Sequence, residues 1–210
     1  MAAPDPLYLL PTPAGAWIAS AEAAADRLRA FIRLLLAQPV SPPWRDPDDL
    51  FVRRLGQLGW VQFLTAPRRV SQTPFDDALR SYLPALSAKG SALLADAHGF
   101  HLASTGFSDS AAEALAALSA DLASLHDRHR RSLNQNLGLS GSAWAMPDAA
   151  GHSQIGFWPL YVGSHRFVLI LAGVPHLNQP PLVDLVWLLH QRYGPLASVL
   201  PATADSTVTS

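Results

Sequence analysis

The chain has 210 residues, of which 49% are hydrophobic and 15% charged, with a formal net charge of −1. Phosphate contacts need clustered Lys and Arg, so this balance excludes an electrostatic nucleic-acid binder. Cys is absent, which excludes disulfides, thiolate metal sites and a Cys nucleophile.

Met1–Pro6 carries no basic run, and the short apolar stretch after it is broken by Pro11 and Pro13, so it does not read as a signal peptide. No stretch reaches the roughly 20 apolar residues of a membrane span. A soluble, cytoplasmic globular protein is expected, with no membrane insertion.

Leu7–Leu10 and Ala16–Ala19, either side of Pro11 to Gly15, read as two short strands and a turn. Ser20 is the expected cap of a helix with Leu28, Phe31, Ile32, Leu35 and Leu36 at the 3.6-residue period and Arg27, Arg29 and Arg33 pointing away. Pro39, Pro42, Pro43 and Pro47 make a loop. Asp46 as N-cap, Pro47 in the first turn, and Asp48 and Asp49 at the positive end of the dipole then predict a second helix. It buries Phe51, Leu55 and Leu58 and stops at Gly59, with Trp60–Leu64 following as a strand. Residues 1–65 thus read as a small α+β accessory module. Residues 66–73 read as a linker whose Arg68 and Arg69 are solvated.

In residues 74–195, Thr73 and Pro74 open a helix with Phe75, Leu79, Leu83 and Leu86 on its core face. Pro84 must kink or split it, because it removes a backbone donor. Ser91–Ala95 and Phe100–Ser104 read as strands joined by a tight turn at Asp96–Gly99. Ser108 opens a long helix to about His129, ending in a cationic turn that suits the helix dipole. Loop Asn134–Gly141 leads to strands near Ser142–Met146, Ser153–Leu160 and Arg166–Ala172. Asn178, Pro180 and Pro181 start a last helix burying Leu182, Leu185, Val186 and Leu189. Residues 196–210 have no periodicity and read as a flexible tail.

The run Gly90-Ser-Ala-Leu-Leu-Ala-Asp-Ala-His-Gly-Phe-His-Leu-Ala-Ser-Thr-Gly106 resembles the first hairpin of the Roadblock family, the dynein light-chain type. Glu113-Ala-Leu-Ala-Ala-Leu-Ser-Ala-Asp121 and Arg166-Phe-Val-Leu-Ile-Leu-Ala-Gly173 are similar to its long helix and late strand. The order of helix, two strands, helix, three strands, helix between Thr73 and Tyr193 is also the family's. The resemblance implies an α+β fold with a central antiparallel sheet. It further implies a dimeric, non-catalytic platform, of a kind found in bacteria, that binds or regulates a small Ras-like GTPase. The N-terminal hairpin, two helices and Leu58-Gly-Trp-Val61 resemble the winged-helix-like peptide chaperone of pyrroloquinoline quinone synthesis.

The residues offer no catalytic constellation. There is no Gly-x-Ser-x-Gly elbow around Ser140, Ser142 or Ser104. The only lysine, Lys89, stands outside any Gly-x-x-x-x-Gly-Lys loop, so the chain is not itself a phosphate-loop GTPase. His126 and His129 share a helix face at a metal-compatible spacing but lack a third ligand, and read as charge complements at a helix end. No metal and no cofactor is expected.

Two stripes mark the long helix. Leu115, Leu118, Leu122 and Leu125 are expected to face the sheet. Ala112, Ala116, Ala120 and Ala123 are then left to receive another helix. The strand carrying Ser142, Trp144 and Met146 is expected at an unprotected sheet edge. These seven alanine, serine, tryptophan and methionine positions are the expected homodimer interface. Two alternatives stay open. One is a scaffold or peptide-binding role through strand addition to residues 1–65. The other is a small-molecule sensor.

Overall fold

The computed structural model describes residues 6–46 and 48–195. Pro47, named above as a first-turn residue, and the tail 196–210 lie outside the described residues, as do Met1–Asp5. The architecture is α+β, with a three-stranded and a five-stranded antiparallel sheet.

The N-terminal part runs β1 (Leu7–Pro11), α1 (Pro13–Ser20), α2 (Arg27–Ala37), β2 (Pro43–Trp44), α3 (Leu50–Gln57) and β3 (Val61–Leu64), with sheet order β2-β1-β3. The expected hairpin at Ala16–Ala19 is absent, and with it one of the features on which the winged-helix likeness was drawn. Those residues are helical because Thr12 is an N-cap, its hydroxyl accepting from the Gly15 amide at 3.1 Å, and Pro13 occupies the first turn. Ser20 ends this helix rather than starting the next, which Asp26 caps through the Arg29 amide at 2.8 Å. Asp49, not Asp46, caps α3, accepting from the amides of Phe51 and Val52. Arg29 and Arg33 do not point away. They fold back onto α1, where Arg33 donates to the carbonyls of Ala19, Glu22 and Ala23 and so serves acceptors left open at a helix C-terminus. Burial there, with the nearby charge of Arg29, lowers the pKa of Arg33.

The remainder runs α4 (Phe75–Tyr82), β4 (Ala92–Asp96), β5 (His101–Thr105), α5 (Asp109–Arg131), β6 (Trp144–Pro147), β7 (Ser153–Val162), β8 (His165–Ala172) and α6 (Pro180–Tyr193). This is the element order that the Roadblock resemblance implies. Pro84 does split the first helix: a 3₁₀ turn, Leu83–Leu86, replaces its end. The turn at Asp96–Gly99 forms as expected. The Asp96 carboxylate accepts from the amides of His98 and Phe100, both at 2.9 Å, and Gly99 takes φ 85°. The sheet order is β5-β4-β8-β7-β6, with β4 and β8 central and the two β5 and β6 edges distant in sequence.

The two faces of this sheet are covered differently. Leu94, Leu160, Leu169 and Leu171 point into one large apolar cluster that also holds Leu185 and Leu189 of α6 and Leu10, Ile32 and Leu36 of the N-terminal part. Leu93, Ala95, Phe157, Val168 and Ile170 point the other way, under α5. Helix α6 lies between the sheet and α1–α2 and closes the last turn of α2: Trp187 Nε1 donates to the Gln38 carbonyl at 2.7 Å and Gln191 Nε2 to the Leu36 carbonyl at 2.8 Å. Residues 66–73 run along Pro39–Ser41. Ser41 donates its amide to the Arg68 carbonyl at 2.8 Å, and Val70 donates to Pro39 at 3.1 Å. Arg68 is therefore not a solvated loop arginine; its Nη2 sits 2.6 and 2.8 Å from the two carboxylate oxygens of Asp184 on α6.

Candidate interaction surface

Helix α5 is built by its cap and its small residues. The Ser108 hydroxyl accepts from the Ala111 amide, Asp109 sits in the first turn, and four basic residues, Arg128 to Arg131, fill the last. The buried positions are Ala112, Ala116, Ser119, Ala123 and His126. The small side chains let the helix lie close on the bulky Leu93, Val168 and Ile170, and Ser119 returns its hydroxyl to the Ala116 carbonyl at 2.7 Å. The β4–β5 turn also presses on this helix: a Cβ on Gly99 would stand 3.1 Å from the Ala117 Cα.

The allocation of the two stripes thus differs from the expected one: the alanines face inward and the leucine stripe divides. Ala112, Ala116 and Ala123 are spent on the chain's own sheet, and Ala120 is half-buried beside them. Leu115 and Leu122 are half-buried against the same cluster as Trp144 and Ile155, whereas Leu118 and Leu125 are 39% and 37% exposed. The mean directions of the two stripes differ by roughly 135° of helix rotation. Period alone cannot say which of them faces inward, and the volume of the facing strands decides it.

Strand β6 occupies the edge as expected, but starts at Trp144, so Ser142 precedes it and is half-buried in the approach. It pairs with β7 alone, Trp144 opposite Phe157 and Met146 opposite Ile155. Among the described residues no strand borders its other side. Trp144 is half-buried, its ring edge-on to His126 at 6.3 Å, while Met146 is 58% exposed. Leu137 and Leu139, in the segment joining α5 to β6, are exposed as well. The surface brought together is an open strand edge with Met146 on it and a helix flank bearing Leu118 and Leu125. His129 is exposed and His126 turns inward, so the pair does not converge; among the described residues no three His, Asp or Glu side chains are grouped to hold a metal ion.

No protein-family model and no curated protein matches the sequence. Solved structures do show similarity. A Roadblock/LC7 domain from Streptomyces avermitilis aligns over 56% of this chain and 95% of its own, at 19% identity and a TM-score of 0.39. The gliding protein MglB of Thermus thermophilus aligns over 59% and 93%, at 18% identity and a TM-score of 0.36. Myxococcus xanthus MglB aligns over 60% and 90%, at 16% identity and a TM-score of 0.32. These similar structures are Roadblock/LC7 and MglB proteins.

No helix among the described residues is long and apolar enough to cross a membrane. The residues that sequence reasoning missed at this surface are Leu118 and Leu125 as outward groups. The signal available was the bulk of Val168, Ile170 and Phe157, which leaves room for alanine and not for leucine beneath the helix axis.

Proposed function

We propose that this protein is a dimeric, non-catalytic adaptor or regulator of a small Ras-like GTPase, acting in the cytoplasm. The observation that carries this reading is the open β6 edge flanked by the outward leucines of α5, on a sheet that contains the Roadblock-like hairpin Gly90–Gly106. Pairing β6 with its copy across a two-fold axis satisfies both open edges and brings the Leu118–Leu125 flanks together. Residues 74–195 are then the GTPase-facing part, and residues 1–65 an accessory part docked on α6. With no phosphate loop of its own, the chain leaves nucleotide chemistry to its partner. It shifts that partner's state only by binding one nucleotide form better than the other, or by holding the switch loops in place for hydrolysis.

The test is binding to the Ras-like GTPases of the same genome, loaded separately with GDP and with a non-hydrolysable GTP analogue, by calorimetry. The expected result is state-selective binding to one of them at two copies of this chain per complex. Absence of binding in both states would overturn the GTPase reading and leave a scaffold.

A further inference from the structure

A cleft of about 610 Å³ lies where several segments of the chain meet, beside the approach to β6. Its walls are the turn after α1 (Ala21–Ala24), the C-terminal half of α5, the segment from Asn134 to Ser142, and the β7–β8 turn. The volume falls in the ordinary range for small-molecule sites.

Both acids in the wall are already paired: Glu22 with Arg29, which also holds Asp26, and Asp127 with Arg166 at 3.2 Å. Arg130 lines the same cleft and forms no ion pair among the described residues, so its guanidinium is open to an incoming anion.

Arg166 spends one guanidinium nitrogen on Asp127, and its Nε, buried with no acceptor, leaves the group only partly satisfied. His126 is 7% exposed, reaches the cleft wall, and makes no hydrogen bond to any described residue. Tyr161 and Ser142 line the same cleft. Arginine's planar fork suits carboxylate and phosphate oxygens.

We propose that this cleft binds a small organic anion through a carboxylate or phosphate group, held by Arg130 and Arg166 with His126 at its floor. Because Ala21–Ala24 form one wall, the bound anion ties the N-terminal part to α5 and the sheet. Occupancy stabilises the assembled chain by mass action. The proposal does not depend on the GTPase reading.

The experiment is a titration of the full chain, without any partner, followed by amide and arginine side-chain NMR shifts. Inorganic phosphate and succinate are the two probes, and sodium chloride at matched ionic strength is the control. At least one probe should give saturable shifts confined to residues 126–130 and 161–166, with a Kd on the order of 1 mM. Arg130→Gln, a change at an exposed position, should weaken that probe about fivefold or more without altering the rest of the spectrum. Saturation by phosphate alone assigns a phosphate head group; saturation by succinate alone assigns a carboxylate. Shifts that match chloride, that fail to saturate, or that persist unchanged in Arg130→Gln overturn the proposal.

Discussion

Helices α5 and α6 cover opposite faces of one sheet, yet they are made by opposite rules. Helix α6 is buried nearly all round, from Leu182 through His190, because the sheet lies on one side and α1–α2 on the other. Helix α5 buries only a strip of alanines, Ser119 and His126, and turns leucines to solvent. A helix that is apolar on all sides is explained within the chain. A helix with its small residues inward and its leucines outward is not, and that asymmetry is the main argument for a second copy.

The sharpest way to break the comparison is to truncate equivalent apolar groups on the two helices. Trp187→Ala should cost about 3–5 kcal/mol, since it opens a cavity between the sheet and α2 and leaves the Gln38 carbonyl without its donor. Leu118→Ala on α5 should stay within about 0.5 kcal/mol under monomeric conditions, measured by urea unfolding at a dilution where light scattering shows no dimer. Equal losses at the two positions would end the distinction.

Protonation sharpens it next. His190 is buried between α6 and the N-terminal helices with neither ring nitrogen hydrogen-bonded, and burial, helped by the Arg33 charge, lowers its pKa to about 4. Between that value and its ordinary 6.5 the unfolded chain binds a proton that the folded chain refuses. Stability is therefore lost as pH falls through this window, by about 3 kcal/mol over the whole of it. His190→Leu should flatten the pH dependence of urea midpoints from pH 6.5 to 4. It should cost little at pH 7, because no hydrogen bond is removed.

The Arg68–Asp184 pair gives a smaller effect. Burial raises the Asp184 pKa even though Arg68 opposes the shift. Compared with the unfolded chain, the folded carboxyl therefore holds its proton to higher pH. Its contribution is fully present below the ordinary carboxylate value and is lost as pH rises through the raised one. Arg68→Ala should cost about 1–2 kcal/mol at pH 7, where it strands a half-buried carboxylate. The loss should shrink on acidification and be largely recovered in the double variant with Asp184→Asn, as read from thermal unfolding at pH 7 and pH 3.5.

Most of the fold was legible where period and punctuation agree. The turn at Asp96–Gly99, the Ser108 cap, the Pro84 break and the run Phe167–Leu171 each carry a local chemical signal, and each forms as read. Failure came where two local signals compete. Ala16–Ala19 is a short apolar run after a Pro- and Gly-rich stretch and reads as a strand, but Thr12 and Pro13 nucleate a helix ahead of it. Asp46 and Asp49 are both competent caps, and the helix starts at the second. The surface was less legible than the fold. Which α5 stripe faces inward, and that Arg68 meets Asp184 116 residues away, depend on contacts between distant segments that no window of sequence contains.

The smallest expected change in folding stability accompanies the largest expected change in assembly. Leu118 and Leu125 lie beyond Leu115 and Leu122 on the α5 flank and touch no buried cluster of their own chain. Replacing both by Glu removes little that the folded monomer uses, so the urea midpoint at a dilution where both chains are monomeric should move by no more than about 0.5 kcal/mol in free-energy terms. In a two-fold pair these flanks meet, and four like charges enter an apolar contact that excludes water. Light scattering should therefore give a dimer for the unaltered chain at micromolar concentration and a monomer for Leu118→Glu with Leu125→Glu. Ala116→Arg is the informative contrast: Ala116 is fully buried against the chain's own sheet, so this change should unfold the protein rather than dissociate it. A monomeric unaltered chain, or a doubly substituted chain that remains dimeric, would leave the outward leucines without a partner and place any assembly on another surface.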